Sequence, residues 1–269
     1  MRSFLVRSLV AVVAIPALVY LFYLGGIPLR VFVVVLTVLA MHEARGLFAH
    51  AGAAFPFLPA VLIALLVPWL SHLSIPGISW PSWLALSILV PGFAVVTATD
   101  LRQTAASIAA QIVAVIWIGT GFGAFMAIRE LLAADGFKWL IVLFANLWIG
   151  DTAAYLFGVW LGKAKLSPVV SPNKTIAGAV AQIITSAVVG VVFVAIRYID
   201  VDASLVIAAS VLIGIVGQVG DLFESLPKRL AGQKDSSALI PGHGGVLDRF
   251  DSALFAAPAL YALVSTWPK

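Results

Sequence analysis

The residues able to do chemistry crowd into one short segment of this chain, residues 221–251. Nine charged side chains fall there, although all 269 residues include only 16 Lys and Arg and 12 Asp and Glu. A glycine-rich turn, 241–245, lies in the same segment. Carboxylate oxygens suit a hard cation such as Mg²⁺, and Lys and Arg bind phosphate oxygens. The segment therefore predicts a site for phosphoryl or nucleotidyl transfer.

The spacing places some of these groups on common helix faces. Four of them follow an i, i+3, i+4, i+7 pattern and share a face if the helix continues: Asp221, Glu224, Ser225 and Lys228. Pro227 removes a backbone donor, so we expect the helix to kink or end there. Asp248 and Asp251 are spaced i, i+3 at the start of the last apolar run. Simple stabilisation of a helix N-terminus explains these two aspartates equally well.

A second polar group lies upstream. Asp151 and Tyr155 are spaced i, i+4 inside an apolar segment. An aspartate in lipid costs about 2.5–3.5 kcal/mol on insertion scales, so it should face a polar cavity or a buried hydrogen-bond partner. The polar run 171–175 is expected to open the next helix, and helix capping is an equal alternative for Ser171 and Thr175.

Glu43 stands near the end of the second apolar segment, with His42 and Arg45 beside it. Glu43 and Arg45 cannot share a helix face, because residues two positions apart point in different directions. The sequence therefore provides Glu43 with no local partner. We therefore expect Glu43 at most to support the residues of the site from behind.

The composition decides what kind of protein must position these groups. Hydrophobic residues make up 62% of the chain, charged residues 10%, and the mean hydropathy is +1.10. Soluble domains carry about 25% charged residues, so this chain is predicted to be an all-α polytopic membrane protein. The absence of cysteine excludes disulfides and thiolate sites. Basic residues form no patch with interleaved aromatics, which argues against a nucleic-acid partner.

Apolar runs of about 20 residues predict transmembrane helices. The chain offers nine such runs, the first interpreted as a retained helix rather than a cleaved signal peptide. They cover 5–24, 29–48, 55–73, 82–98, 105–127, 138–160, 176–196, 203–223 and 252–267. We expect an N-terminal scaffold, 1–135, which faces lipid or a dimer partner, and a catalytic region, 136–269.

The distribution of Lys and Arg predicts the orientation. With a cytoplasmic N-terminus, 11 basic residues fall on the cytoplasmic side and five on the other. The polar segments 161–175 and 224–251 then lie on the cytoplasmic face of the cell membrane. An odd number of spans leaves the C-terminus outside.

The polar motifs together resemble those of a known family, the phosphatidate cytidylyltransferases, or CDP-diacylglycerol synthases. The resemblance covers roughly 146–255. It is carried by Ser225-Leu-Pro-Lys228-Arg229, Lys234-Asp235, Pro241-Gly-His243-Gly244-Gly245, Asp248-Arg249-Phe-Asp251, Asp151-Thr-Ala-Ala-Tyr155 and Ser171-Pro-Asn-Lys174-Thr175.

The resemblance implies a reaction in phospholipid biosynthesis, in which CTP and phosphatidate give CDP-diacylglycerol and pyrophosphate. It also implies Mg²⁺, a monovalent cation such as K⁺ nearby, and a homodimer. The implied metal ligands and catalytic carboxylates are Asp221, Asp248 and Asp251, with Lys228 and Arg249 also catalytic. The implied substrate-binding residues are Asp151, Tyr155, Ser171, Lys174, Thr175, Ser225, Arg229, Lys234, Asp235, His243, Gly244 and Gly245.

Within that set, Lys228, Arg229, Lys234 and Arg249 would bind phosphates of CTP or lipid. His243 and its glycines would shape the nucleotide pocket, and residues 171–175 the lipid-headgroup side. Two positions depart from the family pattern. Pro227 stands where an apolar residue other than proline is expected, and Ala177 where a glutamate is usual.

Two other functions stay open at the level of sequence. A CTP-dependent polyprenol or phytol kinase would share the nucleotide chemistry but transfer the terminal phosphate. An ion-coupled transporter could use Asp151 and Asp221 along its path. The charges cluster at one membrane face, and no repeated halves are visible, which disfavours a transporter.

Overall fold

The computed structural model describes residues 2–70, 80–132, 135–240, 242 and 244–267, and it is mainly helical, as predicted. The helices found in these residues are α1 Arg2–Leu24, α2 Gly26–His50, α3 Phe57–Leu70, α4 Trp80–Gly92, α5 Leu101–Leu131, α6 Gly136–Leu161, α7 Ile176–Ala195, α8 Ala203–Leu230 and α9 Leu247–Thr266. A 3₁₀ turn, Phe93–Thr97, follows α4. Strands β1 Lys165–Ser167 and β2 Ser171–Thr175 form an antiparallel hairpin.

The prediction of nine spans is not confirmed. Five helices in the described residues are long and apolar enough to cross a membrane: Gly26–His50, Leu101–Glu130, Gly136–Leu161, Ile176–Ala195 and Ala203–Leu230. Shorter apolar stretches occupy Val12–Leu24, Phe57–Leu66 and Ser82–Thr97.

The chain divides into two compact units, each made of two stretches. The first unit combines Met1–Ala127 with Pro227–Phe250, and the second combines Ile128–Leu226 with Asp251–Lys269. The expected division at residue 135 stays a prediction.

Aromatic side chains fill the core of the first unit. Phe122 packs against Phe125 and Phe250 with ring centroids 5.7 and 5.5 Å apart, and Phe22 lies 6.1 Å from Phe125. Phe22, Phe122 and Phe125 are at most 1% exposed. These edge-to-face contacts join α1 and α5 to the segment that carries Phe250, the residue beside Arg249.

Small residues allow the helices of the second unit to approach closely. A Cβ at Gly214 of α8 would overlap the Ser186 side chain of α7, and a Cβ at Gly150 of α6 would lie 3.0 Å from Gln182. Asn146 and Ser210 are fully buried and joined by a 3.2 Å hydrogen bond between α6 and α8. Close packing of small residues and hydrogen bonds between helices are typical of helix association in membranes.

Two local predictions are corrected. Residues 171–175 do not open a helix: they form strand β2, and α7 begins only at Ile176. The eighth helix does not end at Pro227 but continues to Leu230. The run 119–123, whose glycines superficially resemble a nucleotide loop, lies inside α5.

Candidate active site

The first unit places Asp248 at the centre of a buried hydrogen-bond network. Its Oδ1 accepts from the Lys228 ammonium group at 2.8 Å. Its Oδ2 accepts from the Ser236 backbone N–H at 2.8 Å, the Ser236 hydroxyl at 2.8 Å and the Gly245 N–H at 2.7 Å. The side chains of Lys228 and Asp248 are only 10% and 4% exposed. The ion pair therefore fixes the end of α8 against the start of α9.

The surroundings of Asp248, which lies outside the five candidate spans, favour its ionised form. Burial by itself raises the pKa of this carboxyl, but the hydrogen bonds from Lys228, Gly245 and Ser236 outweigh it. The pKa of Asp248 is therefore lower than the ordinary aspartate value. The carboxylate stays charged at neutral pH and can act only as an acceptor or a ligand.

Glu43 of α2 belongs to the same network. Its Oε1 accepts from the Ser237 hydroxyl at 2.7 Å and the Val246 N–H at 2.9 Å. Its Oε2 accepts from the Ser236 hydroxyl at 3.0 Å and the Leu247 N–H at 2.8 Å. Glu43 is 5% exposed, and the bonds from the Val246 and Leu247 N–H groups cap the start of α9 from a distant part of the chain.

The glycines of the turn are required by close contacts. Gly244 has a φ of +80°, which favours glycine, and a Cβ there would crowd the Asp248 carboxylate. A Cβ at Gly245 would overlap the Ser236 hydroxyl and the Glu43 carboxylate. Both glycines therefore let the turn wrap around the two carboxylates. His243 and Pro241 lie outside the described residues.

Several basic side chains of the first unit lie at its surface. Lys234 and Arg249 are exposed, as is Asp235. Arg229 is exposed too, and its guanidinium donates to the Gln233 carbonyl at 3.2 Å. These cations are accessible to a charged ligand, whereas Lys228 is committed to Asp248.

The second unit contains a pocket of about 620 Å³ with charged and apolar walls. The Lys174 ammonium group of β2 forms an ion pair with the Asp221 carboxylate of α8. The lining residues are Asp151, Ala154, Tyr155, Gly158, Val159, Gly162, Lys165, Leu166, Asn173, Lys174, Thr175, Gly178, Ala179, Gln182, Gln218 and Asp221. The pocket thus brings together five of the predicted residues: Asp151, Tyr155, Lys174, Thr175 and Asp221.

Two glutamines organise the inner wall of this pocket. Gln182 donates to the Asp151 carboxylate at 3.0 Å, which provides the hydrogen-bond partner expected for an aspartate within an apolar helix. Gln218 donates to the carbonyls of Ala179 and Gly214, both at 3.1 Å. These bonds tie α6, α7 and α8 together beside the charged groups.

Other predicted residues have structural roles in the second unit. The Thr175 hydroxyl accepts from the Gly178 N–H at 3.1 Å and caps α7. This is the helix-capping role that the sequence left open for Thr175. The Ser225 hydroxyl donates to the Asp221 carbonyl at 2.9 Å. Ser171 lies on β2 but does not line the pocket. Asp251 accepts from the Ser252 N–H at 2.6 Å, and its backbone closely approaches Gly220, next to Asp221.

Sequence reasoning missed part of both networks. Ser236 and Ser237 were not predicted as site residues. Their position between Asp235 and the glycine-rich turn was the signal that could have identified them. Gln182 and Gln218 were visible as polar residues within apolar runs, which in a membrane helix predicts an inward-facing role. The contacts of Glu43 with residues near 236 and 246 had no signal in the sequence.

Comparison with known proteins identifies the family of the chain. Residues 5–267 match the model of the Cytidylyltransferase family. A protein of Staphylococcus haemolyticus named phosphatidate cytidylyltransferase is 34% identical over 261 residues, covering 96% of this chain and 98% of the relative. Proteins of the same name from Staphylococcus aureus (strain COL) and Staphylococcus epidermidis (strain ATCC 12228 / FDA PCI 1200) are each 32% identical, with the same coverage. The chain is therefore an enzyme that belongs to the cytidylyltransferase family.

Proposed function

We propose that this enzyme transfers the cytidylyl group of CTP to phosphatidate, yielding CDP-diacylglycerol and pyrophosphate. The pocket of the second unit is the observation that carries the proposal. It combines two lysines and two aspartates with apolar walls from α6, a candidate membrane span. Such a pocket suits a molecule that has a phosphate group and a hydrocarbon tail.

The phosphate of the lipid is assigned to Lys174 and Lys165. Both lysines line the pocket, and Lys174 pairs with Asp221, so its ammonium group already lies in the polar part. Tyr155 and Val159 are 71% and 73% exposed on α6, where acyl chains would contact them. The polar end and the lipid-facing side of one pocket therefore match the two parts of phosphatidate.

The phosphates of CTP are assigned to basic side chains of the first unit. Lys234, Arg249 and Arg229 are exposed, and backbone N–H groups in a glycine-rich turn can bind anions. His243 and the glycines beside it are proposed to shape the nucleotide pocket. Lys228 supports this part of the site by fixing Asp248.

The chemistry needs few protein groups to react. A phosphate oxygen of phosphatidate attacks the α-phosphorus of CTP, the bond to the bridging β-phosphate oxygen breaks, and pyrophosphate leaves with its electron pair. A phosphate monoester is largely doubly ionised at neutral pH, because its second pKa is about 6. The nucleophile therefore requires no strong base, and the protein mainly positions charge.

Mg²⁺ is proposed as the cofactor, with Asp221, Asp248 and Asp251 as candidate ligands within their own units. In the described residues no three His, Asp or Glu side chains cluster as a metal site, but Mg²⁺ commonly binds through one or two carboxylates and substrate phosphates. Asp221 fits best, since its carboxylate lines the pocket and already faces a cation, Lys174. A bound Mg²⁺ would neutralise charge on the phosphates.

The test is a product analysis in proteoliposomes with phosphatidate, Mg²⁺ and CTP labelled at the α- or the γ-phosphate. We expect α-label in the lipid and γ-label in pyrophosphate. Label from the γ-phosphate in the lipid, with CDP released, would instead make the enzyme a lipid kinase. Omission of Mg²⁺ with excess chelator should stop the reaction, and unchanged turnover would contradict the proposed cofactor.

We also propose a homodimer in the cell membrane, with segments 161–175 and 224–251 on the cytoplasmic face. The excess of basic residues on that side supports the orientation. Because the chain has no cysteine, single introduced cysteines report accessibility directly. In inside-out vesicles, Ala238→Cys should react with an impermeant maleimide and Val201→Cys should not. The reverse pattern would overturn the orientation, and light scattering in detergent would test the dimer.

A further inference from the structure

The buried side chain of Glu43 connects α2 to the charged segment 221–251. Glu43 lies on α2, far along the chain from the charged segment, yet it accepts four hydrogen bonds, all from residues 236–247. Two donors are hydroxyls, and two are the backbone N–H groups of Val246, just before α9, and of Leu247, its first residue. Hydrogen bonds of this kind to a buried carboxylate are short and directional, so they hold their donors tightly.

The same network reaches Asp248 through one side chain. The Ser236 hydroxyl lies 3.0 Å from Glu43 Oε2 and 2.8 Å from Asp248 Oδ2. A hydroxyl has one proton, so the two carboxylates share a single donor. The Ser236 backbone N–H and the Gly245 N–H also bind Asp248 Oδ2. A shift of the loop at Glu43 must therefore move the donors that orient Asp248.

We propose that Glu43 is a positioning residue for the cytidylyl transfer, which sets the orientation of the Asp248 carboxylate through Ser236 and the start of α9. The inference rests on the proposed role of Asp248 as a metal ligand. Glu43 itself does not touch substrate. Groups behind a ligand commonly fix its orientation, and their loss weakens metal binding by about 10–100-fold.

Glutamine cannot replace Glu43 in this geometry. Each carboxylate oxygen accepts one peptide N–H, that of Val246 at Oε1 and that of Leu247 at Oε2. In either flip of the amide, its NH₂ group would face one of these N–H donors. Two donors pointing at each other repel, so Glu43→Gln should displace the loop although it preserves shape and volume.

The test compares Glu43→Gln with wild-type enzyme by turnover and by binding. We expect kcat to fall at least tenfold and the half-saturating Mg²⁺ concentration to rise at least fivefold. Binding is measured separately, without turnover, from the rise of the unfolding midpoint as Mg²⁺ is added at fixed CTP. The Mg²⁺ concentration that gives half of this rise should also be at least fivefold higher in Glu43→Gln than in wild type. Loss of folded enzyme alone lowers the apparent kcat but leaves half-saturation unchanged.

Thr37→Val is the matched control. Thr37 is a fully buried polar residue on the same helix, with a 2.8 Å hydrogen bond to the Val33 carbonyl and no place in the site. The half-saturating Mg²⁺ concentration of Thr37→Val should stay within twofold of the wild-type value. A wild-type Mg²⁺ requirement in Glu43→Gln, whatever its turnover, would overturn the inference.

Two further variants keep the result decisive. If Glu43→Gln does not fold, Ser237→Ala removes one hydroxyl donor to Glu43 and should raise half-saturating Mg²⁺ about threefold; no change there would reject the inference. Asp248→Asn is measured in parallel. Wild-type turnover in Asp248→Asn would reject the role of Asp248 itself. If Asp248→Asn loses turnover but Glu43→Gln keeps the wild-type Mg²⁺ requirement, only the role of Glu43 is rejected.

Discussion

Lys174 and Asp221 form an ion pair that joins the β hairpin to the cytoplasmic end proposed for α8. The two side chains are 26% and 35% exposed, so they remain accessible to ligands in the pocket that they line. The pair therefore links the upstream polar run to the charged segment, two features that lie far apart in the sequence. Substrate or metal binding would have to compete for these same two charges.

Lys174→Met should lower turnover at least tenfold and raise the KM for phosphatidate, because the substitution removes a phosphate-binding cation and leaves Asp221 unpaired. Methionine keeps most of the length and the apolar stem of lysine. The assay is cytidylyl transfer in mixed micelles at varied phosphatidate concentration.

Lys163→Met is the matched control for that measurement. Lys163 lies in the same connection after α6, is exposed and does not line the pocket. Its KM and kcat should remain within twofold of wild type. Equal losses in the two variants would mean that general surface charge, rather than a lipid-phosphate contact at Lys174, supports activity.

The sequence predicted the helical segments well where hydrophobicity was continuous. The predicted segment 138–160 corresponds to α6 Gly136–Leu161, and 176–196 to α7 Ile176–Ala195. It failed at the hairpin 165–175, because its five-residue strand has no apolar alternation and contains Pro172 and Asn173, which are rare in strands. The helix also passes Pro227, since tertiary contacts in a membrane helix can compensate for a lost backbone bond.

The sequence indicated which residues could belong to the site, but not which side chains they contact. Aspartates at 151, 221 and 248 stood out because charge is costly in an apolar chain. The partners Gln182, Lys174 and Lys228 depend on which helices approach one another, which spacing within one helix cannot reveal. Glu43 marks the limit most clearly, since its four donors lie about 200 positions away in sequence.

Asp248→Asn should reduce turnover at least 100-fold. The amide NH₂ group would face the Lys228 ammonium group at one oxygen position, or the backbone donors of Ser236 and Gly245 at the other. A buried donor without an acceptor costs about 1–3 kcal/mol, so the unfolding midpoint should fall as well. Turnover and differential scanning fluorimetry measure the two effects separately.

Asp100→Asn provides a comparison for this variant. Asp100 also accepts a backbone N–H at a helix start, from Gln103 at 2.7 Å, but it is exposed and asparagine caps helices equally well. Turnover and the midpoint should both stay near wild type. If Asp248→Asn behaves like Asp100→Asn, capping of α9 is the whole role of Asp248.

Ala177→Glu should leave turnover unchanged or increase it. Ala177 is half-buried in the first turn of α7, where a carboxylate interacts favourably with the helix dipole by about 0.3–1 kcal/mol. Ala177→Gln has the same length without the charge and separates electrostatic from steric effects. A strong loss of activity in both variants would indicate that the site has been rebuilt around the small residue.

Gly214→Ala should destabilise the second unit. The added Cβ would overlap the Ser186 side chain, and crowding a packed core by one methyl group costs about 1–3 kcal/mol. Gly46→Ala is the control, since nothing lies within 4 Å of a Cβ at Gly46 in α2. That change should be neutral or stabilising, by about 0.5–1 kcal/mol, because alanine favours a helix over glycine. Adding Ser186→Gly to Gly214→Ala should recover part of the lost unfolding midpoint, and a midpoint that drops further would show that Ser186 is not the obstacle.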